Sequence, residues 1–153
     1  MHNVCVYYIS YYLTMIIHEF GHYFFSRLFN YEVTIHLGDS KNGKRNKLLS
    51  IGPVTIYKSF LIIGYCRYEE EPKNMTKLKN ILICAGGILF NLITISVLII
   101  VYLNCINKTV KNISGILIFT NFVFVVSNSI PIYSPIIKLD TDGLKIYKIL
   151  KSK

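Results

Sequence analysis

Two histidines and a glutamate occur in the segment HEFGH, as His18, Glu19 and His22. Residues four apart lie on one face of an α-helix, so both imidazoles can bind the same metal ion through neutral ring nitrogens. This spacing supplies two of the usual three protein ligands of a catalytic zinc site. Glu19 lies beside them, where its carboxylate can accept a proton from an activated water molecule and pass it to a leaving amine. The motif predicts zinc-dependent hydrolysis with Glu19 as the catalytic base.

The third metal ligand is not given by the local sequence. In one group of soluble zinc proteases the motif continues as HExxHxxGxxH, and the last His is the third ligand. In this chain Phe25 and Leu28 stand where that Gly and that His would be. Glu32, His36 and the acidic run at 69–71 remain as alternatives. The acidic run is also typical of a solvated loop that binds no metal. His36 is also typical of a histidine on a surface strand.

The elements that carry these residues are strongly apolar. The chain has 153 residues, 52% of them hydrophobic, and they fall in long blocks at 4–29, 81–102 and 113–130. As helices these blocks are about 39, 33 and 27 Å long, enough to cross a bilayer. Ionisable side chains at bilayer depth cost several kcal/mol and persist there mainly for function, which strengthens the metal-site interpretation.

Between the first two blocks the sequence predicts a small sheet over 31–57, with strands at 31–37, 48–51 and 54–57. Residues 59–65 are apolar but too short to span, and 69–79 are charged, which is typical of an interfacial connection. We therefore expect an all-α membrane protein. It is expected to have three transmembrane helices, a β-sheet at the membrane surface between the first two, and one membrane-embedded domain over 1–153.

The formal net charge is +9, yet the basic residues avoid the apolar blocks and collect between them. Apart from Arg27 near the end of the first block, nine lie from Lys41 to Lys79, two between the second and third blocks, and five after Pro131. This distribution indicates contact with lipid headgroups instead of nucleic acid. It predicts a multi-pass protein with its amino terminus outside and its sheet and carboxyl tail in the cytosol. The four cysteines are far apart and predict no disulfide framework.

Three ordered motifs carry a resemblance to a known family. HEFGH at 18–22 is followed by GGILFN at 86–91, and then by Asn128-x-x-Pro131 leading to Asp142-Gly143. This pattern resembles the site-2 protease family, peptidase family M50, and especially its compact bacterial members of the sporulation branch without the carboxy-terminal CBS module. The resemblance covers nearly the whole chain.

The resemblance implies a three-helix core in which His18, His22 and Asp142 bind Zn²⁺ and Glu19 is the catalytic base. It implies cleavage of a peptide bond in or near a transmembrane segment of a substrate protein. Ile88 stands where the family usually has Pro. Asp142 follows Pro131 by eleven positions, farther than is usual in the family, so Asp140 competes with Asp142 as third ligand.

Other residues of these motifs have two interpretations each. Gly86 and Gly87 let the second helix approach the first closely, whether for function or simple packing. Gly143, the small neighbour of Asp142, is expected to let the backbone there come close to the first helix. Asn91 is expected to orient the substrate carbonyl or the developing oxyanion, or else to form an interhelical hydrogen bond. Asn128 is a second candidate for contact with substrate, or it satisfies backbone groups near Pro131. Asn121 belongs to no motif and is assigned to packing.

The expected partners are a transmembrane-protein substrate, the lipid bilayer, and a regulatory membrane partner or regulation through substrate presentation. An edge strand of the 31–57 sheet is a candidate for receiving the extended substrate by strand addition. Two alternatives are a catalytically inactive scaffold that binds transmembrane helices and, less favoured, a metal transporter. The expected location is a bacterial cell membrane.

Overall fold

The structure is a computed structural model that describes residues 2–38, 47–58, 63–68, 75–134 and 139–152. Residues 39–46, between the first two expected strands, and the acidic run at 69–71 lie outside these residues. The described elements follow one another as α1 (His2–Leu28), β1 (Val33–Leu37), β2 (Lys47–Ile51), β3 (Val54–Tyr57), β4 (Gly64–Tyr68), α2 (Lys77–Asn104), α3 (Lys108–Ser129), β5 (Tyr133–Ser134), β6 (Leu139–Asp140) and α4 (Asp142–Lys151).

The first helix ends where its sequence predicts. Asn30 adopts the left-handed conformation with a φ of 62°, which asparagine tolerates better than most residues. The N–H of Tyr31 then donates to the carbonyl of Ser26 at 2.9 Å, so a terminal carbonyl is satisfied. The chain leaves α1 at once for β1.

Two described helices, α2 and α3, are long and apolar enough to cross a membrane. Only 28% and 22% of their most apolar windows are buried inside the protein. Their remaining apolar side chains face outward, as membrane helices require. The helix α1 is one residue shorter than α2, and its five tyrosines and its HEFGH residues make it less apolar. Its exposed face still carries large hydrophobic side chains, among them Ile9, Phe20 and Leu28.

The helices α1 and α2 touch backbone to backbone. A Cβ added to Gly21 would lie 2.2 Å from the carbonyl oxygen of Gly86, and one added to Gly87 would lie 2.5 Å from the His18 ring. Both distances are shorter than any real contact, so side chains are excluded here. The predicted close approach of the two helices at Gly86 and Gly87 is confirmed.

The helix α3 is joined to α1 by buried hydrogen bonds. The Thr14 hydroxyl lies 3.1 Å from that of Thr120 and accepts from the Asn121 amide at 3.1 Å. Polar side chains shared between helices stabilise association where no water is present. The packing role predicted for Asn121 is confirmed.

The sheet has four strands in the order β2-β3-β1-β4. The strand β1 pairs in parallel with β3 and antiparallel with β4. The three predicted strands are present, but the fourth, β4, was missed, because Gly64 and Tyr65 were assigned to the apolar segment and residues 66–68 to no element. The sheet therefore extends beyond residue 57.

The sheet packs along α1 and not beyond its end. Ile35 and Leu37 of β1 form a buried cluster with Met15, near the middle of α1. Tyr12 and Tyr23 also pack against this cluster, so the contact covers about three helical turns. This placement brings the sheet to the level of the HEFGH motif.

After α3 the chain turns sharply at Pro131 and returns through the short β5–β6 pair. The Thr141 hydroxyl donates to the Ile130 carbonyl at 2.6 Å and accepts from the Leu144 N–H at 3.3 Å. Thr141 is thus the N-cap of α4, which lies against α2. Neither nearby aspartate is the cap, which leaves both carboxylates available for other contacts.

Candidate metal centre

Three side-chain atoms from two distant segments converge at one point. The Oδ2 atom of Asp142 lies 2.9 Å from Nε2 of His18 and 3.1 Å from Nε2 of His22. The two Nε2 atoms are 3.2 Å apart. All three residues are buried, and they form a group able to hold a metal ion. The structure therefore brings together the three residues that the sequence resemblance selected.

A hydrogen bond determines which ring nitrogen of His22 is available to bind a metal ion. Its Nδ1 lies 2.7 Å from the carbonyl oxygen of Ile83, and a carbonyl can only accept, so Nδ1 carries the proton. In its neutral form His22 therefore presents the Nε2 lone pair toward Asp142. An imidazole held in this way by a carbonyl is the usual arrangement of a metal-binding histidine.

The donor set fits a zinc ion. His22 Nε2 and Asp142 Oδ2 are both lone-pair atoms at close range, and Oδ2 has no hydrogen bond of good geometry within the described residues. Two such atoms at this distance need a shared cation between them, either a proton or a metal ion. In a tetrahedral zinc site, ligands at 2.0–2.1 Å lie about 3.3 Å from one another. The observed separations of 2.9 to 3.2 Å need little adjustment.

The other oxygen of Asp142 has a different partner. Oδ1 accepts from the Lys145 ammonium at 2.9 Å. Burial alone would raise the pKa of Asp142, but His22, His18 and Lys145 hold the pKa of that carboxyl far below its usual range. Burial likewise opposes the charge on Lys145, yet the Asp142 carboxylate raises the pKa of that ammonium above its ordinary value. Asp142 is therefore ionised and Lys145 charged at neutral pH.

Asp140, the competing candidate, is directed elsewhere. Its carboxylate pairs with Lys148 at 2.7 Å, and the two side chains are 27% and 59% exposed. It belongs to β6, whereas Asp142 opens α4. Of the two aspartates, Asp142 is the one beside the histidines.

Glu19 lies against β4, on the same cavity as the histidines. A Cβ added to Gly64 would lie 2.7 Å from the Glu19 Cγ and 3.0 Å from its Oε1. The Cys66 thiol donates to the Glu19 main-chain carbonyl at 3.4 Å. Burial, together with the nearby Glu19 carboxylate, raises the pKa of Cys66 well above its usual range. The strand β4 thus forms one wall around the predicted base, and its cysteine is a neutral thiol.

The cavity has a volume of about 510 Å³. Its walls come from α1, β4, the start of α2, the end of α3, α4 and Asp140 of β6. Asn128 lines it, with its amide donating to the Phe124 carbonyl at 3.0 Å. Asn91 does not line it: this side chain is fully buried in α2, and neither amide atom has a partner among the described residues. The two asparagines are therefore separated, and Asn128 is the one beside the candidate centre.

The other proposed ligands lie elsewhere. Glu32 is exposed after α1 and is not part of the metal-binding group. His36 lies on β1, with Nε2 3.0 Å from the Thr34 hydroxyl and its ring stacked on Tyr57 and Tyr65. His36 is therefore part of the sheet's own packing, and neither residue lies with His18 and His22.

Several residues around the centre were missed from the sequence. The sequence could have indicated Lys145, because Asp142 and Lys145 are three residues apart and so share a helical face. No sequence pattern indicated Phe124, whose ring lies edge to face with that of His18, 5.1 Å between ring centroids. The same holds for Gly64 and the Ile83 carbonyl, since nothing local indicates which distant backbone will approach a motif.

Gly143 also differs from expectation. It was expected to let the backbone approach α1, but its neighbour is the end of α3. A Cβ on Gly143 would lie 2.0 Å from the Ser129 carbonyl oxygen. The backbone at Gly143 does approach another helix closely, but that helix is α3 and not α1.

The geometry defines a buried His/His/Asp group able to hold a metal ion, with a glutamate on the same cavity, in a helical protein with apolar helices. The sequence profile described as Peptidase family M50 matches residues 6–148. The chain is 34% identical over 140 residues to the "Uncharacterized membrane protein YwmF" of Bacillus subtilis (strain 168), covering 91% of this chain and 82% of that protein. No solved structure matches the chain.

The chain therefore belongs to peptidase family M50, as its three motifs predicted. Family membership and the two apolar helices together indicate a membrane protein with a protease-like role.

Proposed function

We propose that the chain is a zinc-dependent intramembrane endopeptidase that cleaves peptide bonds in or near transmembrane segments of other proteins. The observation that carries the proposal is the meeting of His18, His22 and Asp142 beside Glu19 on one cavity. Each of these residues is buried, and polar groups of this kind persist in an apolar domain mainly for function. Membership of peptidase family M50 supports the same reaction.

In this mechanism His18, His22 and Asp142 hold the zinc ion. Zinc, when bound, supplies a Lewis acid that polarises the scissile carbonyl and makes water more acidic. Glu19 accepts a proton from water at its carboxylate and returns it to the leaving amine. The Ile83 carbonyl keeps His22 in the tautomer that leaves Nε2 free. Asn128, on the cavity wall, is the asparagine we assign to contact with the substrate.

We propose that α1 is the third transmembrane helix, beside α2 and α3. Its 27 residues are about 40 Å long, and its outward face carries Tyr7, Ile9 and Phe24. His18 contacts Gly87, which is ten residues into α2 and so about 15 Å along that helix. On this arrangement the centre lies below the membrane surface. The amino terminus lies outside and α4 in the cytosol of a bacterial cell membrane.

The substrate must be extended before water can reach its backbone, because a helix conceals its carbonyls in hydrogen bonds. The strand β4 is at the edge of the described sheet and lines the cavity beside Glu19. We propose that a substrate segment pairs with this edge, so that backbone hydrogen bonds provide affinity with little sequence selectivity. This moves the receiving strand from the expected 31–57 region to residues 64–68.

Glu19→Gln tests the reaction. The variant and the wild-type protein are purified in detergent, and zinc content and cleavage of a transmembrane substrate are measured. Glu19→Gln should bind zinc normally, because the ligands remain. It should cut at least about 100-fold more slowly, because general acid–base catalysis typically contributes 10² to 10⁴.

His18→Ala is the matched control and should lose both zinc and cleavage, since only two ligands remain. Unchanged cleavage by Glu19→Gln would contradict the mechanism. A wild-type protein that holds zinc but binds transmembrane helices without cutting them would be the scaffold instead. Metal flux in proteoliposomes would indicate the transporter.

A further inference from the structure

The two oxygens of the Asp142 carboxylate have different partners. Oδ2 faces Nε2 of His18 and Nε2 of His22 at 2.9 and 3.1 Å. Oδ1 accepts from Nζ of Lys145 at 2.9 Å. The Asp142 side chain is 3% exposed, so water can hardly replace the ammonium. One oxygen is thus directed to the metal-binding group, and the other is occupied.

This division matters because a carboxylate can bind a metal ion through one oxygen or through both. If both oxygens of Asp142 bound zinc together with the two histidines, four protein atoms would surround the metal, and water could enter only as a fifth ligand. Catalytic zinc sites instead have three protein ligands and keep a position open for water or substrate. Holding Oδ1 away from the metal preserves that open position.

We propose that Lys145 is a positioning residue that restricts Asp142 to binding the metal through Oδ2 alone. The inference rests on the proposed zinc site. Lys145 does not touch the reacting atoms in this role; it acts through Asp142. The pair is three residues apart at the start of α4, so the helix itself presents the ammonium to Oδ1.

The neighbouring pair makes the role specific to Lys145. Lys148 of α4 contacts Asp140 of β6 at 2.7 Å, a similarly short ion pair that is more exposed and includes neither Asp142 nor a histidine. Among the described lysines and arginines, Lys145 is the one paired with Asp142. It also lines the cavity, whereas Lys148 does not. Lys148 is therefore a matched control.

The test uses Co²⁺ as a probe in the full-length protein in detergent. Visible absorption reports the coordination of Co²⁺, since its bands weaken as coordination rises from four to five. Lys145→Met removes the charge and should weaken these bands, because Oδ1 becomes free to bind. Competition with a chelator should show a metal affinity changed by roughly 10- to 100-fold, the size typical when an outer partner of a ligand is lost.

Lys145→Arg preserves the charge and should resemble the wild type, and so should Lys148→Met. Lys145→Gln is the deciding variant if Lys145→Met does not give folded protein, because Gln removes the charge while remaining polar. An unchanged Co²⁺ spectrum and affinity in the charge-removing variants would overturn the role of Lys145. Equal changes in Lys148→Met would also overturn it, since the effect would then belong to α4 as a whole. Failure of the wild type itself to bind Co²⁺ through His18 and Asp142 would instead refute the metal site.

Discussion

The α-carbon of Gly143 lies so close to α3 that a Cβ there would be 2.0 Å from the carbonyl oxygen of Ser129. Because Gly143 follows Asp142 directly, this contact fixes the distance between the start of α4 and the end of α3. Gly143→Ala should push α4 away and withdraw the Asp142 carboxylate from the histidines. We expect bound zinc to fall at least about tenfold, measured in detergent by chelator competition.

Gly115→Ala is the control, because a Cβ at Gly115 would have its nearest neighbour at 3.8 Å, an ordinary contact. It should bind zinc normally and be slightly more stable, since Ala favours helix by up to about 1 kcal/mol. Normal zinc binding by Gly143→Ala would mean that α4 can move without affecting the centre.

The two aspartates should respond differently to removal of charge. Asp142→Asn should lose most of the zinc and all detectable cleavage, because an amide is a much weaker ligand than a carboxylate. Asp140→Asn breaks only the partly exposed pair with Lys148, worth about 0 to 1 kcal/mol, and should leave zinc unchanged.

Bound zinc and substrate cleavage are measured for both variants, with Glu32→Gln as a third comparison. Loss confined to Asp140→Asn would transfer the ligand to that residue. Loss confined to Glu32→Gln would place the site elsewhere.

The hydroxyl of Thr14 joins α1 to α3 through Thr120 and Asn121. Thr14→Val has nearly the same shape but cannot accept from the Asn121 amide. We expect the protein to lose roughly 0.6 to 2 kcal/mol of stability, the range found for interhelical hydrogen bonds in membrane proteins. Zinc content should stay the same.

Unfolding in mixed detergent micelles provides the measurement. Thr94→Val is the control, since the Thr94 hydroxyl donates only to the Phe90 carbonyl of its own helix. Equal destabilisation by both variants would show that the interhelical contact contributes nothing of its own.

Charge asymmetry predicts the sheet in the cytosol and the connection between α2 and α3 outside. Single cysteines at Ser50, exposed on β2, and Ile106, exposed between α2 and α3, can be labelled in a background without the native cysteines. An impermeant thiol reagent added to intact cells should label the cysteine at Ile106 and not the one at Ser50. The reverse pattern would invert the proposed orientation.

The local sequence determined much of the fold and half of the centre. The spacing of His18 and His22 places them on one helical face whatever surrounds them, because helix geometry depends on neighbours in the chain. The long apolar blocks predicted α2 and α3 to within a few residues for the same reason. Three strands of the sheet followed from short runs of strand-forming residues.

Tertiary structure alone decided which distant groups reach the motif. The sequence left Asp140 and Asp142 in competition, and the packing of α4 on α2 and α3 set Asp142 beside the histidines. The same packing placed Lys145 on the cavity, while β4 reached Glu19 through its pairing with β1. Asn91 and Asn128 are equivalent as motif residues, yet only Asn128 lines the cavity. The physical reason is that contacts between remote segments depend on how whole elements pack, and no local pattern records the distance between two backbones.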